Sequence, residues 1–220
     1  MDELTERLEK LKEQVRGMMS PKRFDHTAAV SEMAGRMAAL YCPEQTGALK
    51  AAGLLHDITK EKSIEEQFDL CRQLGIPYRE SDRLVPKTMH AKTAAGLIPV
   101  LFPEWNEPGI VQAVRWHTTG HAGMTIGERI LYFADYIDET RKFEDCVTLR
   151  RLFWDPDPGS MDPEKRQAHL RDLMILSYDM TIRNLLDEHT PVSIDTIEAR
   201  NALLLEAAGI SEDHPNNGDE

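Results

Sequence analysis

The chain has 220 residues, with 38 acidic and 26 basic side chains and a formal net charge of -12. That length buries one sizeable core, so a single domain with appendages is expected. The acidic balance excludes non-specific nucleic-acid binding, which needs a basic surface, but not a small anionic substrate held by a metal and a few local cations.

The N-terminus is charged from Asp2 onward and carries no apolar leader core, and no apolar run approaches the roughly 20 residues of a membrane span. Cys42, Cys71 and Cys146 form neither a CxxC motif nor an even disulfide set. A cytoplasmic protein with free thiols is the expectation.

Helix formers outnumber β-branched and aromatic residues, which predicts an all-α helical bundle. Leu4, Leu8, Leu11 and Val15 repeat at helical spacing within residues 2–16, an N-terminal helix ahead of the main domain. Ser20-Pro21 reads as an N-cap followed by proline at the first helical position, opening a helix with Val30, Met33 and Met37 on one face. Residues 45–59 read as one apolar helix and 63–74 as another, the latter stopped by Gly75-Ile76-Pro77.

Thr88 to Leu97 predicts a short helix ending near Pro99, and Phe102 to Gly109 a loop. Helices near 109–117 and 125–139 flank the turn Thr118-Thr119-Gly120. The run Asp155-Pro156-Asp157-Pro158-Gly159 breaks the chain before a long helix with Leu170, Leu173, Met174, Ser177, Thr181, Asn184 and Leu185 on one face. Thr196 to Ala208 closes the domain, expected over residues 20–208, and residues 209–220 read as a disordered acidic tail.

The informative residues are polar ones placed where periodicity demands core. Asp135 sits in Ile130-Leu131-Tyr132-Phe133-Ala134-Asp135-Tyr136-Ile137, apolar on almost every side, and His56-Asp57 ends the run Ala51-Ala52-Gly53-Leu54-Leu55. A buried carboxylate is costly unless paired, protonated or metal-bound. His26, His90 and His117 each lie on a partly apolar helix. Singly, each is more often a structural residue, and Asp57 could simply pair with Lys60. As a set from separate helices, the six side chains point to a bundle metal site.

An ordered His, His-Asp, Asp pattern resembles the HD superfamily of metal-dependent phosphohydrolases: here His26, His56-Asp57 and Asp135. The segments Arg23-Phe24-Asp25-His26-Thr27, Leu55-His56-Asp57-Ile58-Thr59-Lys60, His90, Arg115-Trp116-His117-Thr118-Thr119-Gly120 and Ala134-Asp135-Tyr136-Ile137-Asp138 resemble the bacterial symmetrical diadenosine-tetraphosphate hydrolases of the YqeK type. So does Asp195 to Asn201, and the likeness spans about residues 15–205.

The resemblance implies two divalent metal ions of the iron type, with manganese or another divalent ion as the alternative. His26, His56, Asp57 and Asp135 would hold one, and Asp57 would bridge to a second on His90 and His117. It implies a hydroxide formed between paired metals, acting on a nucleotide to release two ADP. Lys60, four residues after His56, and Arg23, three before His26, would meet phosphate oxygens from helix faces shared with the ligands. Thr118, Thr119 and Gly120 offer a phosphate-receiving turn.

Arg141 is implied as a phosphate contact, which requires the helix carrying Asp135 to end near Thr140. Two segments depart from the family pattern: the turn before Arg141 lacks a proline, and residues 153–162 read as an insertion. Other HD nucleotide phosphohydrolases or phosphodiesterases, a non-catalytic nucleotide sensor and a metal-free helical scaffold are the rival readings. A homodimer is left open.

Overall fold

A computed structural model describes residues 3–210, and among these the secondary structure is helical throughout, with no strand. The tail expected from 209 lies, from 211 on, outside the described residues. Ten α-helices follow in chain order: α1 Glu3–Arg16, α2 Pro21–Tyr41, α3 Thr46–Leu55, α4 Ile64–Leu74, α5 Met89–Leu101, α6 Pro108–Trp116, α7 Ile126–Ile137, α8 Glu144–Trp154, α9 Pro163–Asp187 and α10 Ile194–Ala207.

The local signals explain most of these boundaries. Ser20 caps α2, its hydroxyl accepting the Arg23 N–H at 3.3 Å, with Pro21 at the first helical position. Ser63 and Glu66 close a capping box at the start of α4, and Gly75 ends that helix at φ +65°, a conformation that favours glycine. Thr125 and Glu128 form a second capping box at the start of α7.

α2 is the centre of the molecule and packs chiefly against α3 and α7. It buries Val30, Met33, Ala34, Met37 and Ala38, three or four residues apart, against Leu49, Ala52 and Leu55 of α3 and Phe133, Ala134 and Ile137 of α7. The crossing of α2 and α3 is close because Gly53 has no side chain. A Cβ there would lie 2.5 Å from the Ser31 Cα. This approach also brings the ends of the two helices, and with them His26 and His56, to a ring separation of 5.5 Å.

α1 joins the same core through Leu11 and Val15, both fully buried. A smaller cluster of Phe68, Cys71 and Met89 seals α4 against α5. On α9, Leu170, Leu173, Met174 and Ser177 are buried, while Thr181, Asn184 and Leu185 further along line a large cavity.

Three expectations need correction. The helix read as 45–59 ends at Leu55, and residues 56–61 run through consecutive turns. α5 does not stop at Pro99 but continues to Leu101. Pro99 sits exposed in the last turn, where the helix axis can bend outward and one lost N–H matters least. Residues 144–154, for which no helix was expected, form α8. At the start of the stretch read as an insertion, Phe153 is fully buried against Phe133.

Candidate metal centre

The site is built from helix ends. The last carbonyls of an α-helix lack an intrahelical partner, and the sequence uses two of them. His56 follows the last residue of α3, and its Nδ1–H donates to the Gly53 carbonyl at 2.7 Å. His117 stands likewise at the end of α6, its Nδ1–H donating to the Val114 carbonyl at 2.7 Å. Each bond fixes the tautomer and leaves Nε2 with a free lone pair.

His26, in the second turn of α2, is oriented differently. Its Nδ1 lies 3.2 Å from the Thr140 hydroxyl and 3.3 Å from Asp138 Oδ2. The Thr140 hydroxyl donates onward to Asp138 Oδ1. Nδ1–H therefore donates to Thr140, and Nε2 again faces the cluster. His90, in the first turn of α5, has its backbone carbonyl held by the Thr59 hydroxyl at 3.0 Å.

Asp57 is the hub. Its Oδ2 lies 3.7 Å from His26 Nε2 and 3.5 Å from His56 Nε2, while its Oδ1 lies 3.1 Å from His90 Nε2 and 3.9 Å from His117 Nε2. One carboxylate thus divides its two oxygens between two pairs of imidazoles. Asp135 Oδ1 completes the first set, 3.1 Å from His26 Nε2 and 3.8 Å from His56 Nε2. In the second set His90 Nε2 and His117 Nε2 stand 3.0 Å apart. The six side chains expected as ligands come together, and these buried His/Asp groups could hold divalent metal.

The electrostatics suit ligation. Burial pushes the Asp57 carboxyl up, but the facing His56 and His90 imidazoles hold it well below the usual carboxylate range. Burial acts the same way on Asp135 and is overcome chiefly by Arg141, then His26 and His56. Burial, then the charges of His56 and His90, push His117 far down, and burial also lowers His90. Ionised carboxylates and neutral imidazoles are the protonation states a cation requires. His26 is the exception: burial would lower it, yet Asp135 and Asp138 raise its pKa to about 9.

Three cations surround the cluster. Arg23 Nη1 donates to Asp57 Oδ2 at 2.7 Å, so the ion pair of Asp57 is with Arg23 and not with Lys60. Lys60 arrives through the turn after α3 instead of along a helix face, and its Nζ lies 3.3 Å from both ring nitrogens of His90. Burial lowers its pKa against the opposing pull of Asp57 and Asp135. α7 ends at Ile137, which meets the condition for Arg141 to turn back, and its guanidinium reaches Asp135 Oδ1 at 2.6 Å.

A cavity of about 1170 Å³ opens beside the cluster, with His117, Thr118, Asp135 and Arg141 at its inner end. Of the expected turn, Thr118 lines this cavity with a buried Oγ1 that has no hydrogen-bond partner. The Thr119 hydroxyl is spent on the Gly120 carbonyl at 3.0 Å. Gly120 adopts φ +63° against Tyr178, where a Cβ would sit 2.0 Å from the phenol oxygen.

Sequence reasoning missed Asp138, Thr140 and Arg150. Arg150, on α8, donates to the carbonyls of Ile137 (2.6 Å), Arg141 (2.9 Å) and Asp138, and so ties down the loop that follows α7. Asp138 carried a readable signal: a second carboxylate three residues after Asp135 in the same apolar run, here fully buried.

Comparison with known proteins agrees with this geometry. The HD domain family model matches residues 23–140. The chain is 29% identical over 194 residues to the symmetrical bis(5'-nucleosyl)-tetraphosphatase of Halalkalibacterium halodurans, covering 87% of this chain and 94% of that protein. It is 27% identical over 190 residues to the protein of that name from Bacillus subtilis, covering 86% and 94%. Among solved structures, a predicted HD superfamily hydrolase involved in NAD metabolism from Clostridium acetobutylicum superposes with a TM-score of 0.78 at 27% identity, over 90% of this chain and 97% of that one. From the matched span of more than half its length, with the His, His-Asp, Asp set gathered in one buried pocket, the chain belongs to the HD domain family of hydrolases.

Proposed function

We propose that the chain cleaves diadenosine tetraphosphate symmetrically to two ADP, with a metal pair at the cluster. The observation that carries the reading is the division of the Asp57 oxygens, Oδ2 toward His26 and His56 and Oδ1 toward His90 and His117. The names of the relatives support the substrate.

The residues fit divalent ions. His26 Nε2 and His56 Nε2 are buried with no hydrogen-bond partner, as atoms awaiting a ligand would be. Nitrogen and oxygen donors without thiolate suit iron or manganese over a structural zinc. In this reading His26, His56, Asp57 and Asp135 hold one ion, and Asp57, His90 and His117 the other. Such a pair, when bound, lowers the pKa of shared water so that hydroxide exists at neutral pH.

The chain supplies the rest. Arg23, Lys60 and Arg141 offset charge on the non-bridging phosphate oxygens, where phosphoryl transfer needs cations. The Thr118 hydroxyl, which has no partner of its own and lines the cavity, receives a phosphate, while the Gly120 N–H is already spent on the Trp116 carbonyl at 2.8 Å. An inner phosphorus gains the water oxygen, and its bond to the central bridging oxygen between the two inner phosphorus atoms breaks. One ADP leaves with that oxygen, the water proton is released to solvent at neutral pH, and each product keeps two phosphates. The reading places the catalytic domain at residues 20–208, with α1 packed on it through Leu11 and Val15, in the cytoplasm.

Incubation of metal-loaded protein with the dinucleotide, followed by chromatography, tests this. ADP as sole product is expected. AMP plus ATP would overturn the symmetry, and nucleotide binding without turnover would favour a sensor.

A further inference from the structure

Of the 14 aromatic residues in the chain, 13 are buried or half-buried. Phe143 is the exception at 73% exposed, and it belongs to neither apolar cluster. A single exposed apolar residue is ordinary on a protein surface. Its setting here is not, on three counts.

Phe143 lines the 1170 Å³ cavity that has His117, Asp135 and Arg141 at its inner end. It follows Arg141 by two residues, which span at most about 7 Å of chain. Its backbone is also fixed. Arg150 holds the carbonyls of Ile137, Asp138 and Arg141, and Phe143 itself is the extended residue (φ -63°, ψ 142°) that opens α8. The side chain left in solvent therefore stands on a rigid base.

Leu84, 62% exposed, also lines this cavity, as do Tyr136 and Leu185. Phe143, Leu84, Tyr136 and Leu185 thus give the cavity an apolar share of its lining, beside the guanidinium of Arg141. A ligand matching both has a polyphosphate joined through a short spacer to a flat, apolar, π-faced group.

We propose that Phe143 is the stacking platform for one nucleobase of the substrate, with Arg141 taking the phosphate on the other side of the intervening ribose. The assignment rests on the dinucleotide reading above and adds the recognition of a base to it. Stacking of a base on an aromatic ring is tolerant of base identity, so the platform selects nucleotides over inorganic polyphosphate without selecting adenine.

The test uses metal-loaded full-length protein with the variants Phe143→Ala, Phe143→Tyr and Phe143→Trp. Phe143→Ala is expected to raise KM for diadenosine tetraphosphate about tenfold, the lower-middle part of the range for one stacked base. kcat should move far less, and inhibition by base-free inorganic triphosphate should keep its constant. Phe143→Tyr should restore the KM. In Phe143→Trp the added indole fluorescence should be quenched by ADP and not by pyrophosphate.

An unchanged KM in Phe143→Ala, or equal weakening of ADP and triphosphate, would overturn the platform. Quenching by ADP in a protein that turns over no dinucleotide would sink the hydrolase reading and keep the platform.

Discussion

Arg150 offers the sharpest quantitative test of how the fold holds its site. Its side chain, 14% exposed, donates to three carbonyls of the loop between α7 and α8. Hydrogen bonds from a charged donor contribute about 1.5–3 kcal/mol each. Arg150→Met keeps an aliphatic stem of similar length and removes all three hydrogen bonds. Taking the low figure gives about 4–5 kcal/mol for the three. The Arg141 carbonyl lies on a half-buried residue and regains water, but those of Ile137 and Asp138 are on fully buried residues and stay unbonded, so the expected loss remains about 4–5 kcal/mol. For a chain of this size that lowers Tm by about 8–20 °C. Thermal unfolding by circular dichroism measures it. The same variant should weaken nucleotide binding, because Arg141 and Phe143 lose their common anchor. A Tm within about a degree of the parent, with nucleotide affinity unchanged, would refute the argument.

His90→Ala should remove one of two metal equivalents and abolish turnover while the helical circular dichroism spectrum persists, and full metal content with activity would show that His90 is no ligand. Thr140→Val removes the hydroxyl that His26 Nδ1 meets at 3.2 Å, leaving only the longer approach to Asp138 at 3.3 Å, and should weaken metal binding about tenfold, read by chelator competition. An unchanged affinity would leave the Thr140 contact without consequence. Asp82 is pushed up by burial but held below its usual 3.8 by the Lys92 ammonium at 2.6 Å. Its contribution to stability is present above that usual value and is lost as the pH falls through the lowered one. Asp82→Asn should be less stable than the parent at neutral pH, and the gap in urea unfolding should narrow in acid; a gap independent of pH would contradict the pairing.

The helices with strong boundary chemistry were legible: Ser20-Pro21 opens α2 and Gly75 closes α4, as read. The six His and Asp positions stood out because ionisable groups on apolar faces demand a reason. α8 was not legible, since only Cys146, Leu149 and Phe153 are buried in it and Arg150 and Arg151 interrupt the pattern. The end of α3 was missed because Ile58 is itself buried and prolongs the apolar signal past the turn. Asp138 meets the cluster through His26 Nδ1 at 3.3 Å and carried a readable signal, whereas Arg150 touches none of the six side chains. Its hydrogen-bond partners are three backbone carbonyls, and sequence spacing carries no trace of such bonds.

That two of the clustered histidines stand at the ends of α3 and α6, with α7 ending two residues after Asp135, has a consequence for charge. A helix carries about half a negative charge at its C-terminus. Three such ends converge here, so the backbone itself offers a cation sink that no side-chain substitution erases. The same field repels an arriving polyphosphate, and Arg23, Lys60 and Arg141 form the bridgehead that lets an anion approach a socket made for cations.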